Sequence, residues 1–149
     1  GLLIIMVLIF CQSTQAENTE KITINMDIIA MIESSGNSSA YNKVSRARGL
    51  YQITPICLAD YNQFHQINQY TQNDLFNPEI NEKIAKWYFL ERIPKLLKHY
   101  EIVDNVENRL IAYNAGISRL KRSYMLSEKL PNETQKYIKK YFTALEKSK

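Results

Sequence analysis

Glu33 is followed by Ser34, Ser35 and Gly36, and it ends a segment in which Ile24, Ile28, Met31 and Ile32 recur at helical spacing. A carboxyl group in the last turn of a helix faces the negative end of the helix dipole, which disfavours its ionised form. Apolar neighbours such as Ile29 and Ile32 would desolvate it and raise its pKa further. An acid kept protonated near neutral pH is what general acid catalysis on a leaving-group oxygen requires. Ser34 and Ser35 have no nearby His in sequence, which argues against a nucleophilic serine and for a role in orienting Glu33 or a ligand. Further along, Gly49 allows a tight turn or a close approach to a ligand, after which Gln52 offers both a donor and an acceptor. Tyr113 and Asn114 pair a flat ring that can stack on a ligand face with an amide that can both donate and accept. His65 and His99 have no partners at metal-ligand spacing, so neither a metal nor another cofactor is expected.

The elements that must position these groups are helices. Thr23 or Asn25 is available to cap the first one, and Gly36 stops it. The polar stretch from Asn37 to Arg48 lacks periodicity and reads as a loop lying over whatever Glu33 faces. Thr54-Pro55 and Asn77-Pro78 are each a cap followed by a proline at the first helical position. They start a helix to about Phe64 and a longer one through Ile80, Ile84, Trp87, Tyr88 and Glu91, which kinks near Pro94 and resumes over Lys95 to Tyr100. Asp104 or Asn105 opens another helix through Val106, Leu110 and Tyr113, with Gly116 just past its end. Asn132 reads as the cap of a last helix, with Gln135 at capping-box spacing and a buried stripe of Ile138, Tyr141, Phe142 and Leu145. The fold class expected is all-α.

The 149 residues suffice for one core and are too few for two ordinary domains. Leu2 to Phe10 is an unbroken apolar run, far short of the roughly twenty residues of a membrane-spanning helix. With Thr14-Gln15-Ala16 after it, residues 1–16 read as a secretory signal cleaved after Ala16, leaving no membrane segment. Cys11 would leave with the signal, and Cys57 would remain as a lone, buried thiol. The net charge of +4 comes without a basic stripe interleaved with aromatics, which argues against a nucleic acid partner.

Four segments resemble, in order, the motifs of the soluble-type (SLT) lytic transglycosylase domain. They are Glu33-Ser34-Ser35, Gly49-Leu50-Tyr51-Gln52, Ala112-Tyr113-Asn114-Ala115-Gly116 and Glu133-Thr134-Gln135-Lys136-Tyr137-Ile138. Asp74-Leu75-Phe76-Asn77-Pro78 is similar to the family's linking segment. The resemblance implies a lysozyme-like helical domain over about residues 22–146 that cuts peptidoglycan glycan strands between N-acetylmuramic acid and N-acetylglucosamine. It implies Glu33 as the single acid and base, and formation of a 1,6-anhydro ring without water. It implies substrate contacts from Ser34, Ser35, Tyr51, Gln52, Tyr113, Asn114 and Tyr137, with Glu133 in a supporting role. Tyr51 stands where relatives usually carry Met, so a difference in substrate contact is expected there. No Asp or Glu lies between Glu33 and Asp60, where a second carboxylate would be most convenient, and Asp60 reads as a surface charge. The location expected is the periplasm, and by analogy the host system is a secretion, conjugation or phage-assembly machine. Two alternatives stay open: a hydrolytic lysozyme of the same fold, and a non-catalytic saccharide-binding assembly factor.

Overall fold

Residues 21–66 and 69–149 are described by the computed structural model. The apolar segment Leu2 to Phe10, Cys11 and the expected cleavage point after Ala16 lie outside the described residues. Among the described residues there are seven α-helices, one 3-10 turn and one π-helical turn, and the only extended pairings are isolated bridges of Arg48 with Tyr41 and with Ile53. The all-α expectation is met.

Helix α1 (Met26–Ser34) starts at Asn25, whose side chain accepts a hydrogen bond from the Ile28 amide at 3.2 Å. It ends on two left-handed residues, Ser35 at φ 55° and Gly36 at φ 75°. Ile28 and Ile29 face inward, whereas Met31, expected on the same stripe, is 59 % exposed. Helix α2 (Pro55–His65) is capped by Thr54, which accepts from the Cys57 amide. Helix α3 (Pro78–Trp87) is capped by Asn77, which accepts from Glu79 and Ile80.

The kink expected near Pro94 takes the form of a π turn over Tyr88–Arg92 that leads into α4 (Ile93–His99). The Ile93 amide donates to the Tyr88 carbonyl, five residues back. In that register the carbonyl of Phe89 falls to residue 94, a proline with no N–H to give. Arg109 fills the gap: its guanidinium donates to the Phe89 carbonyl at 3.1 Å while gripping both oxygens of Asp104 at 2.7 and 2.8 Å. Asp60, expected as a surface charge, is instead partly buried in an ion pair with Arg92 of the same π turn at 2.8 Å.

Arg109 belongs to α5 (Val106–Ala115), which packs against α4, α6 (Ile117–Leu126) and α7 (Asn132–Lys147) and lies at the centre of the fold. Of the two caps foreseen for α5, Asn105 serves. Helix α6 was not foreseen: Gly116 ends α5 and opens α6 with no loop between them, and no side-chain cap marks its start. The expected cap of α7 needs correction. Pro131 precedes the helix, Asn132 lies inside its first turn, and Gln135 donates to the Leu130 carbonyl rather than closing a capping box. Tyr141 of α7 is fully buried, and its hydroxyl accepts from the Asn25 amide at 2.8 Å, tying α7 to the start of α1.

The turn Gly49–Gln52 is fixed from beneath by Asn81 of α3, whose side chain is fully buried. Its amide nitrogen donates to the carbonyls of Arg48 and Leu75, and its oxygen accepts from the Tyr51 amide, each at 2.8 Å. Gly49 sits directly against this amide at φ 80°. A Cβ there would lie 2.2 Å from the Leu75 carbonyl and 2.3 Å from the Asn81 nitrogen. Asn81→Ala strands the Leu75 carbonyl and the Tyr51 amide at about 1–3 kcal/mol each when no water replaces the side chain, while the Arg48 carbonyl keeps its bond from the Ile53 amide. Its denaturant midpoint should therefore fall by the equivalent of about 2 kcal/mol or more, and Gly49→Ala should be no milder.

Candidate active site

Glu33, at the end of α1, opens into a cavity of about 850 Å³ bounded by the 42–54 segment on one side and by α5 and α7 on the other. Gln52, Tyr113, Asn114, Glu133 and Tyr137 line the same cavity, so most of the residues singled out in the sequence come together in space. Three do not reach it. The Ser34 hydroxyl donates to the Ala30 carbonyl at 3.1 Å, and Ser35 terminates the helix in left-handed conformation, so neither lines the cavity. Tyr51 is 3 % exposed and packed in the core, and the substrate contact expected of its side chain is not available from that position. What Tyr51 contributes is backbone: its carbonyl accepts from the Tyr113 hydroxyl at 2.6 Å.

Burial is the main influence on Glu33 and pushes its carboxyl from an ordinary 4.5 to about 7. The Tyr137 hydroxyl acts in the opposite sense, and the negative charge of Glu133 raises the value again. Tyr137 is itself buried, and its hydroxyl has no partner at full hydrogen-bond geometry. Its approach to Glu33 is therefore loose, close enough to favour the carboxylate but short of a made bond. A group that is half protonated near neutral pH can give a proton and later take one back, which suits one residue serving as acid and then base.

The other polar side chains are held in defined states. Gln52 has left-handed backbone at φ 50°, and its amide nitrogen donates to the carbonyls of Gly49 and Ala40 at 3.0 and 3.3 Å. Two carbonyls at that end of the amide fix which end is nitrogen, and they leave the oxygen as the acceptor for a ligand. The Tyr113 ring stacks on Phe89 at 4.2 Å, and burial pushes its hydroxyl well up, so it remains a donor to Tyr51. Asn42, Val44 and Ser45 bring the loop over the cavity, as expected of the polar stretch from Asn37 to Arg48. Lys136 and Lys140 of α7 also line it and were not singled out in the sequence. The signal was present: both share with Glu133 and Tyr137 the helical spacing that puts residues on one face. Among the described residues no group of three His, Cys, Asp or Glu side chains is placed to hold a metal.

The sequence model of the transglycosylase SLT domain matches residues 10–136, most of the chain. The chain belongs to this family. The fold is accordingly the lysozyme-like helical domain of SLT transglycosylases, which act on peptidoglycan. The match takes in Glu33, Gln52, Tyr113, Asn114 and Glu133 and stops one residue before Tyr137. Neither the curated proteins nor the solved structures gave a match. No helix among the described residues of this SLT domain is long and apolar enough to cross a membrane.

The electrostatics of Glu33 give two expected outcomes. Its folded pKa of about 7 lies above the ordinary 4.5, so the folded protein binds this proton more tightly than the unfolded chain. That stability is complete at pH below about 4.5 and is lost as pH rises through about 7. Between about pH 4 and about pH 8 the protein should lose on the order of 3 kcal/mol that Glu33→Gln does not lose, read from urea unfolding of the pair at each pH. Tyr137→Phe removes the one influence that favours the carboxylate, so NMR titration of Glu33 should move upward from about 7.

Proposed function

We propose that this SLT domain is a lytic transglycosylase that cleaves the β-1,4 bond between N-acetylmuramic acid and N-acetylglucosamine and leaves 1,6-anhydro-muramoyl ends. The observation that carries the reading is Glu33, a partly buried carboxyl poised near neutrality in a cavity large enough for a saccharide. Protonated Glu33 gives its proton to the glycosidic oxygen as the bond to C1 breaks, and the substrate's own acetamido oxygen stabilises the cationic centre. The Glu33 carboxylate then takes the proton of the muramoyl C6 hydroxyl while O6 bonds to C1, which closes the ring and returns Glu33 to its acid form. Gln52 and Asn114 serve as the amides that read the sugar, the Tyr113 ring as a wall of the subsite, and Tyr137 as the modulator of Glu33.

The domain extends in this reading over residues 22–146, behind a signal cleaved after Ala16. The enzyme works in the periplasm, where it opens the wall for a secretion, conjugation or phage-assembly system. Hydrolysis is the second reading, because Glu133 shares the cavity and a water-activating base is what a hydrolase would need.

Mass spectrometry of products from purified muropeptides separates the two. Anhydro-muramoyl ends are expected, and reducing ends would overturn the ring-closure mechanism. Glu33→Gln should lower the cleavage rate by about 10²–10⁴-fold with binding retained, since it removes acid and base together. Glu133→Gln should still give anhydro ends, with the upper limb of the pH–rate profile moved to lower pH because a charge that raises the Glu33 pKa is gone. Glycan cleavage that survives in Glu33→Gln would remove Glu33 from the chemistry altogether.

A further inference from the structure

Lys136 and Lys140 lie one turn apart on α7, on the side of the helix that borders the cavity. Both are exposed, and among the described residues neither forms an ion pair; the pairs made there join Glu82, Asp60, Asp104 and Glu128 to other cations. The remaining charged groups of the cavity are Glu33 and Glu133. While Glu33 carries its proton, the two ammonium groups outweigh Glu133 and the cleft is net positive.

The sugars of a glycan strand are neutral. Its fixed negative charge is the carboxylate on the muramoyl side chain, either the free lactyl group of a naked strand or the carboxylates of a stem peptide joined to it. We propose that Lys136 and Lys140 bind this muramoyl-side carboxylate and make the enzyme selective for strands that carry it. The assignment rests on the reading of the cavity as a glycan site. Lysine is a flexible point charge on a long stem, suited to an anion whose position varies with the peptide.

The test measures binding to Glu33→Gln, which holds its ligand without turning it over. Three glycan fragments are compared: one with free lactyl carboxylates, one bearing stem peptides, and one whose carboxylates are all blocked as neutral amides. Adding Lys136→Gln and Lys140→Gln should weaken binding of a charged fragment about fivefold at low salt, with the difference gone near about 1 M salt. Binding of the neutral fragment should not change, and Lys136→Arg with Lys140→Arg should restore the loss. A response confined to the peptide-bearing fragment names the stem as the source of the anion, and an equal response to the naked strand names the lactyl group. Equal weakening on the neutral fragment, no weakening on any, or no binding of any fragment would overturn the proposal. Cleavage by the parent protein is scored separately, so a failure of the catalytic reading shows as missing anhydro ends with charge-dependent binding intact.

Discussion

The site depends on one buried amide. Asn81 lies under the Gly49–Gln52 turn with all of its principal hydrogen-bonding capacity spent on the backbone, two carbonyls on its nitrogen and one amide on its oxygen. A buried carboxamide is tolerated only when satisfied in this way, and satisfying it fixes the turn to α3. The price is a glycine at residue 49, because the space where its Cβ would sit belongs to Leu75 and Asn81. From the other side, the Tyr113 hydroxyl takes the Tyr51 carbonyl, so α5 clasps the same turn. Gln52 is thus presented to the cavity by a segment held from two helices, and its own amide nitrogen closes the loop above it.

The clasp on α5 matters only if α5 is itself placed, and the π turn does that. Shifting the hydrogen-bond register at Tyr88–Arg92 leaves the Phe89 carbonyl facing a proline, and Arg109 from α5 supplies the missing donor. The guanidinium is desolvated there, which is acceptable because Asp104 meets it on two nitrogens. Phe89 in turn forms the stacking partner of Tyr113. A local irregularity in one helix therefore sets the depth at which an aromatic wall of the cavity stands.

Glu33 receives its character from competition. Burial and the charge of Glu133 favour the neutral acid, while Tyr137 favours the carboxylate, and the balance falls near neutral pH. Glu133 and Tyr137 both come from α7, one turn apart, so the same helix supplies opposed influences on a carboxyl carried by α1. The contact between α1 and α7, pinned by Tyr141 on the Asn25 amide, thus helps set how tightly Glu33 holds its proton.

Much of this was legible in the sequence because it is local. Helical periodicity, the Thr54-Pro55 and Asn77-Pro78 starts, the stop at Gly36 and the position of Glu33 in a last turn all depend on residues within one or two turns of each other. The motif order gave the family, and the polar stretch before Gly49 was placed over Glu33 correctly. Helix α6 escaped because it follows α5 with no loop between them and no side-chain cap at its start, and Asn132 misled because a capping-box spacing does not reveal which residue leaves the helix. Tyr51 was read as a substrate contact from its place in a motif, whereas its direction is set by Asn81, thirty residues away. Lys136 and Lys140 join the cavity only once α7 is docked on α1 and α5. Sequence alone determined which residues could do the chemistry and on which elements they ride. Tertiary structure decided which side chains reach the cavity and what the Glu33 proton costs to remove, because burial and long-range hydrogen bonds arise between elements and not within them.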